Sequence, residues 1–122
     1  MNSSDIIDLE ALRRLYRAIG SDMEEFRDIY SSFVEDTPQI FADIEAGAAS
    51  GDWPAVKRGA HSLKWAARDF GARQMAPICA ALEADAELGP VTDLAPRMAS
   101  IASAFEAAVR TIETLFNTNE LN

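Results

Sequence analysis

Histidine and cysteine are almost missing from this chain: there is one of each, His61 and Cys79, in 122 residues. One cysteine permits no internal disulfide, and one histidine with one thiol supplies no ligand set at the spacing of a structural zinc site. No apolar run approaches the roughly 20 residues that cross a bilayer, and the opening MNSSDIIDLE is acidic where a secretory signal would be basic. Positive charge is scarce as well. Twenty acidic residues against eleven basic ones leave a formal charge of −9, which argues against nucleic acid and anionic membrane surfaces as partners, because phosphate binding needs a positive field. A chain of this length buries roughly two-thirds of its unfolded surface, and 48% hydrophobic with 25% charged residues is a globular composition. The expectation is one cytoplasmic, monomeric domain over residues 1–122.

No segment alternates apolar and polar residues with the period of two that a half-buried strand needs. Apolar positions recur every three or four residues instead, over about residues 5–19, 22–48, 53–70, 73–88 and 93–117. In the first segment Leu9, Leu12, Leu15, Tyr16 and Ile19 share a side, and Gly20 stands where a helix ends. The second carries Met23, Phe26, Tyr30, Phe33, Thr37, Ile40 and Ile44 as one stripe after a cap at Ser21 or Asp22, with a kink expected at Pro38. Asp52 caps the third, which tolerates Pro54 in its first turn and stops at Gly71. The fourth turns Met75, Ile78, Cys79 and Leu82 inward, so that Cys79 reads as a small buried hydrophobe. The last repeats Leu94, Met98, Ile101, Phe105, Ala108, Ile112 and Leu115 at the spacing of helices packed nearly parallel. Short connections make neighbouring helices antiparallel. The expected fold is all-α: an antiparallel up-down four-helix bundle with an additional short N-terminal helix packed across one end, and with frayed termini.

The scarce positive charge is gathered in one place. Trp53 to Gln74 holds Lys57, Arg58, Lys64, Arg68 and Arg73 against Asp69 alone, a net +4 that leaves −13 for the remainder. On a wheel of about 100° per residue, Val56, Ala60, Leu63, Ala67 and Phe70 fall within about 40° of one direction, whereas His61 lies at about 140° and Trp65 at about 180°. The histidine is therefore expected outside, with Lys57 at i−4, Arg58 at i−3, Lys64 at i+3 and Arg68 at i+7. Surrounding cations favour the neutral, nucleophilic form of an imidazole and also balance an anion attached to it, the two conditions for reversible phosphorylation of a ring nitrogen. A hydrolytic pair is geometrically poor, since Ser62 is adjacent in sequence and faces another direction. No glycine-rich phosphate loop and no convergent polar pocket for a small substrate are evident.

Ala60, His61, Leu63, Lys64, Ala67, Gly71 and Ala72, followed by Leu82 and Glu83, resemble the signature of the histidine-containing phosphotransfer (HPt) domains of bacterial two-component phosphorelays. That signature is roughly Ala-His-x-Leu-Lys-Gly-Ser-Ala-x-x-x-Gly-Ala with a later Leu-Glu. The resemblance implies a four-helix bundle with the histidine exposed midway along one helix, in agreement with the stripes. It implies that His61 carries a phosphoryl group on Nε2, that Lys64 neutralises it and that Glu83 positions the imidazole through a hydrogen bond. As partners it implies response-regulator receiver domains and a hybrid histidine kinase. It implies no kinase activity, no ATP and no cofactor of the chain's own, Mg²⁺ being supplied by the receiver.

The chain departs from the signature where Trp65 and Ala66 replace the usual Gly-Ser. Trp65 is read as an aromatic anchor for a particular receiver, with Lys57, Arg58 and Arg68 completing the partner-binding surface. Were it an obstruction, the chain would be a phosphorylation-independent adaptor or inhibitor that docks receiver domains or a histidine kinase. A further alternative is the phosphoacceptor of a separate histidine kinase. Arg73 reads as complementing its own helix end.

Overall fold

A computed structural model describes residues 3–121, which, apart from one isolated backbone bridge, form helices joined by turns. The helices are α1 (Ser3–Ile6), α2 (Leu9–Ala18), α3 (Met23–Ala49), α4 (Trp53–Asp69), α5 (Met75–Glu87) and α6 (Leu94–Thr118). The anticipated caps operate: Asp22 accepts hydrogen bonds from the N–H groups of Glu24 and Glu25, and Asp52 from that of Ala55, each satisfying donors that a helix start leaves open. α3 runs through Pro38 as one helix of 27 residues.

The long helices α3 to α6 form the bundle, with α4 packed between α3 and α5, and α5 against α6. The stripes read from the sequence face the core: Phe26, Ile44, Val56, Leu63, Met75, Leu82, Ile101 and Ile112 are fully enclosed, each burial contributing roughly 1.5–3 kcal/mol, whereas Leu9, Met23, Ile40, Ile78, Leu94 and Phe105 are only partly buried against them. Burial also pushes the Cys79 thiol up to about 12, as befits an inert core residue. α3 and α4 close on each other at Gly59, where a Cβ would come within 2.5 Å of Ile44 Cγ1. Across the bundle, α3 and α6 are spaced by aromatic rings, among them Phe33 against Phe105 at 5.3 Å and Tyr30 against Phe116 at 5.2 Å. Phe26 ties Tyr16, Phe70 and Phe116 into the same cluster by edge contacts of 5.7–6.1 Å, an arrangement favoured by the ring quadrupoles.

The N-terminal element differs from the single helix expected over residues 5–19. It breaks at Ile7 and Asp8 because the backbone there pairs with the turn between α4 and α5. Asp8 N–H donates to the Gly71 carbonyl at 2.7 Å, Arg73 N–H donates to Ile6 at 3.0 Å, and Ile7 bridges Ala72. The released helix restarts with Asp8 as its cap, accepting from Ala11 N–H. Gly71 makes this docking possible: its φ is +68°, and a Cβ there would lie 2.5 Å from the Asp8 carbonyl oxygen. The C-terminal end is also better anchored than expected, with Leu121 buried and the Glu120 carbonyl accepting two hydrogen bonds from Arg13. The first two residues and Asn122, for which fraying was also expected, lie outside the described residues.

Candidate phosphoryl-accepting site

Burial of Val56, Ala60, Leu63 and Ala67 fixes the rotation of α4. The close approach at Gly59 turns one flank towards α3, so His61, two residues on, is carried to the opposite flank beside α5. Its side chain is 52% exposed. On α5, Leu82 and Ala86 point into the core, which leaves Glu83 at the edge that meets α4, with only 16% of its side chain exposed.

Glu83 joins the two helices through both of its oxygens: His61 Nδ1 lies 2.5 Å from Oε2, and Lys64 Nζ donates to Oε1 at 2.5 Å. The Lys64 ammonium, and after it the hydrogen bond from His61, hold the Glu83 carboxyl below the usual glutamate range despite the opposing effect of burial. An ionised carboxylate can only accept hydrogen bonds, so the proton of this contact belongs to Nδ1. Nε2 is the remaining nitrogen, and it has no hydrogen-bond partner among the described residues. In the neutral ring its lone pair is thus free, on a side chain that is half-exposed, which is the requirement for a nucleophile.

Of the ring of cations inferred from the sequence, the two lysines are balanced by acids of α5. Lys57 pairs with Glu87, and Lys64, only 14% exposed at its side chain, pairs with Glu83. The first pair had a signal that the sequence reading left unused. Stepping one turn back from His61 and one turn on from Glu83, along antiparallel helices, leads to Lys57 and Glu87. Arg58 is exposed and has no ion-pair partner among the described residues. Arg68 stacks on the Trp65 ring at 5.2 Å, while the Lys64 ammonium approaches the same ring at 5.5 Å. Trp65 itself is 49% exposed. Its indole meets the imidazole edge-on, with centroids 6.1 Å apart, and so stands beside His61 without sealing it.

Among the described residues no group of three or more His, Cys, Asp or Glu is arranged to hold a metal ion, and no helix is long and apolar enough to cross a membrane. A hollow of about 510 Å³ between α3 and α6 is lined by Phe41, Leu94 and Met98 with Glu45 and contains no residue of α4. His61 stands half-exposed on the outer surface of α4, outside that hollow.

Comparison with known proteins agrees with this geometry. Residues 28–117 match the Hpt domain family. No curated protein matches significantly. Among solved structures, histidine-containing phosphotransfer protein B from Pseudomonas aeruginosa PAO1 is similar with a TM-score of 0.78 at 21% identity, over 93% of this chain and 96% of that one. The HPT domain of an Hpt sensor hybrid histidine kinase from Shewanella is similar with a TM-score of 0.65 at 16% identity, over 90% and 97% of the respective chains. The chain belongs to the Hpt domain family, the histidine phosphotransfer proteins of two-component phosphorelays.

Proposed function

We propose that His61 is the phosphoryl carrier, taking the group from the aspartyl phosphate of one receiver domain and giving it to the aspartate of another. The observation that carries this reading is the division of labour on one ring: Nδ1 is engaged by Glu83 at 2.5 Å while Nε2 is unpartnered on a half-exposed side chain. The Nε2 lone pair attacks phosphorus in line. As the N–P bond forms, the P–O bond to the aspartate breaks and the carboxylate leaves with the electron pair. The proton on Nδ1 stays where it is, so the phosphorylated ring carries a positive charge that the Glu83 carboxylate stabilises. Delivery is the same sequence reversed. Lys64, one turn from His61, has three donors of which Glu83 occupies one, and it supplies the neutralising charge for the phosphoryl oxygens. The acidic pocket of the receiver provides Mg²⁺.

Trp65, Lys57, Arg58 and Arg68 form the surface on which the receiver sits, and Trp65 is its anchor. An exposed, cation-braced indole loses little side-chain freedom on binding, which is the property of an interface hot spot. The relay on this reading operates in the cytoplasm. The experiment is to mix the chain with phosphorylated receivers and follow acid-labile label on it. Label is expected on the native chain and lost in His61→Gln with circular dichroism unchanged. The same exposed indole supports a second reading, an adaptor that docks receivers or a kinase without passing phosphate; it predicts that His61→Gln leaves both binding and signalling intact.

A further inference from the structure

The docking of the N-terminal segment carries Arg14 of α2 against the C-terminal end of α4. Arg14, Arg68 and Arg73 there rim an open cleft of about 230 Å³ floored by Ala11, Ala67 and Ala76, with Asp8 as its one carboxylate. All three arginines are exposed. Arg73 approaches Asp8 at 3.6 Å rather than serving only its own helix end. Neither Arg14 nor Arg68 has an ion-pair partner among the described residues, even though Asp69 lines the adjoining hollow with both. In a chain of net charge −9, three exposed arginines lining one concavity with a single carboxylate create a local positive field.

We propose that this cleft receives a carboxylate-bearing segment of the receiver domain that docks over His61, and thereby orients that partner. The proposal rests on the phosphotransfer reading of His61. Arg68 lies seven residues beyond His61 on α4, about 10 Å along the helix axis, well inside the ~800 Å² that each partner contributes to a standard interface. Guanidinium forks match carboxylates two bonds at a time. An open cleft with exposed arginines holds a free anion poorly, but it retains one tethered to a partner already docked, because the tether raises the effective concentration. Arg14 falls outside residues 28–117 that match the family, so the cleft depends on the N-terminal segment of this chain.

The test reads binding separately from transfer, using the full chain and unphosphorylated receiver domains from the same genome. Arg14→Glu is expected to weaken the titrated Kd at low salt by about fivefold to tenfold, with Arg14→Gln between it and the native chain. The difference is expected to close in about 1 M salt, where the screening length falls to about 3 Å. Arg110→Glu, on α6 and outside the cleft, serves as control and is expected to bind as the native chain does. A Kd unchanged in Arg14→Glu, an equal loss in Arg110→Glu, or failure of every receiver to bind overturns the proposal. Salt-sensitive weakening in Arg14→Glu with no label ever reaching His61 supports the cleft and overturns the phosphotransfer reading instead.

Discussion

Replacing Glu83 by Ala removes a single acceptor from two donors, and the two losses have different magnitudes. A hydrogen bond to a charged group contributes ~1.5–3 kcal/mol. The His61 side chain is 52% exposed, so water takes the place of Glu83 and the stability lost there is small. Lys64, whose side chain is only 14% exposed, loses its one carboxylate partner, and most of a total of ~2–3 kcal/mol arises from it. For a chain of this size that lowers Tm by ~10 °C. Adding Lys64→Met removes the stranded charge and is expected to restore most of the Tm. The effect on chemistry is distinct, because the ring loses the group that keeps its proton on Nδ1. As this is the only histidine in the chain, its two ¹⁵N resonances assign themselves. They should report the Nδ1–H tautomer in the native protein and a mixture in Glu83→Ala, with phosphoryl transfer slowed about tenfold, the equivalent of ~1.4 kcal/mol. An unchanged ¹⁵N pattern with transfer at the native rate would refute the positioning role of Glu83.

Other outcomes can be checked independently. Gly51 and Gly71 both have positive φ, +75° and +68°, but a Cβ at Gly51 meets nothing within 4 Å whereas one at Gly71 meets the Asp8 carbonyl. Gly51→Ala is therefore expected to cost only the ~1–2 kcal/mol of the left-handed backbone, and Gly71→Ala clearly more, by denaturant titration; equal costs would contradict the docking of the N-terminal segment. Because the folded-state pKa of Glu83 is depressed, its contribution to stability is complete above its ordinary value of 4.5 and disappears as pH falls through the lower folded value. In a His61→Gln background, where imidazole titration is absent, the stability gap between Glu83 and Glu83→Gln should hold down to about pH 5 and shrink in more acid solution; a gap that widened there would reverse the sign of the argument. Trp65→Ala is expected to raise KM for a receiver severalfold at constant kcat, whereas a rise in kcat would mark the indole as an obstruction.

The sequence was most informative where one helix decided the outcome alone. The stripe Val56, Ala60, Leu63 and Ala67 required an outward His61 on local geometry, and the buried and exposed faces of α4 agree with it. Glu83 was reached through the family resemblance, since periodicity on α5 says which flank it occupies but not which residue of α4 it meets. What escaped the sequence depended on contacts between distant segments. The break at Ile7 and Asp8 comes from backbone bonds to Gly71 and Arg73, more than sixty positions away, and side-chain spacing does not encode such bonds. Counting charge within Trp53 to Gln74 made the surroundings of His61 look strongly cationic, because Glu83 and Glu87, which balance Lys64 and Lys57, lie outside that window. The same limit hid the cleft, because Arg14 of α2 lies far outside the window that holds Arg68 and Arg73.

Phosphotransfer through His61 comes down to one atom, and locating the phosphoryl group on the ring decides which. After labelling by a phosphorylated receiver, ³¹P–¹⁵N coupling in the uniformly ¹⁵N-labelled chain should show phosphorus on Nε2 of His61, with the proton retained on Nδ1 opposite Glu83. Phosphorus on Nδ1, or label that persists in His61→Gln, would rule out Nε2 of His61 as the phosphoryl acceptor.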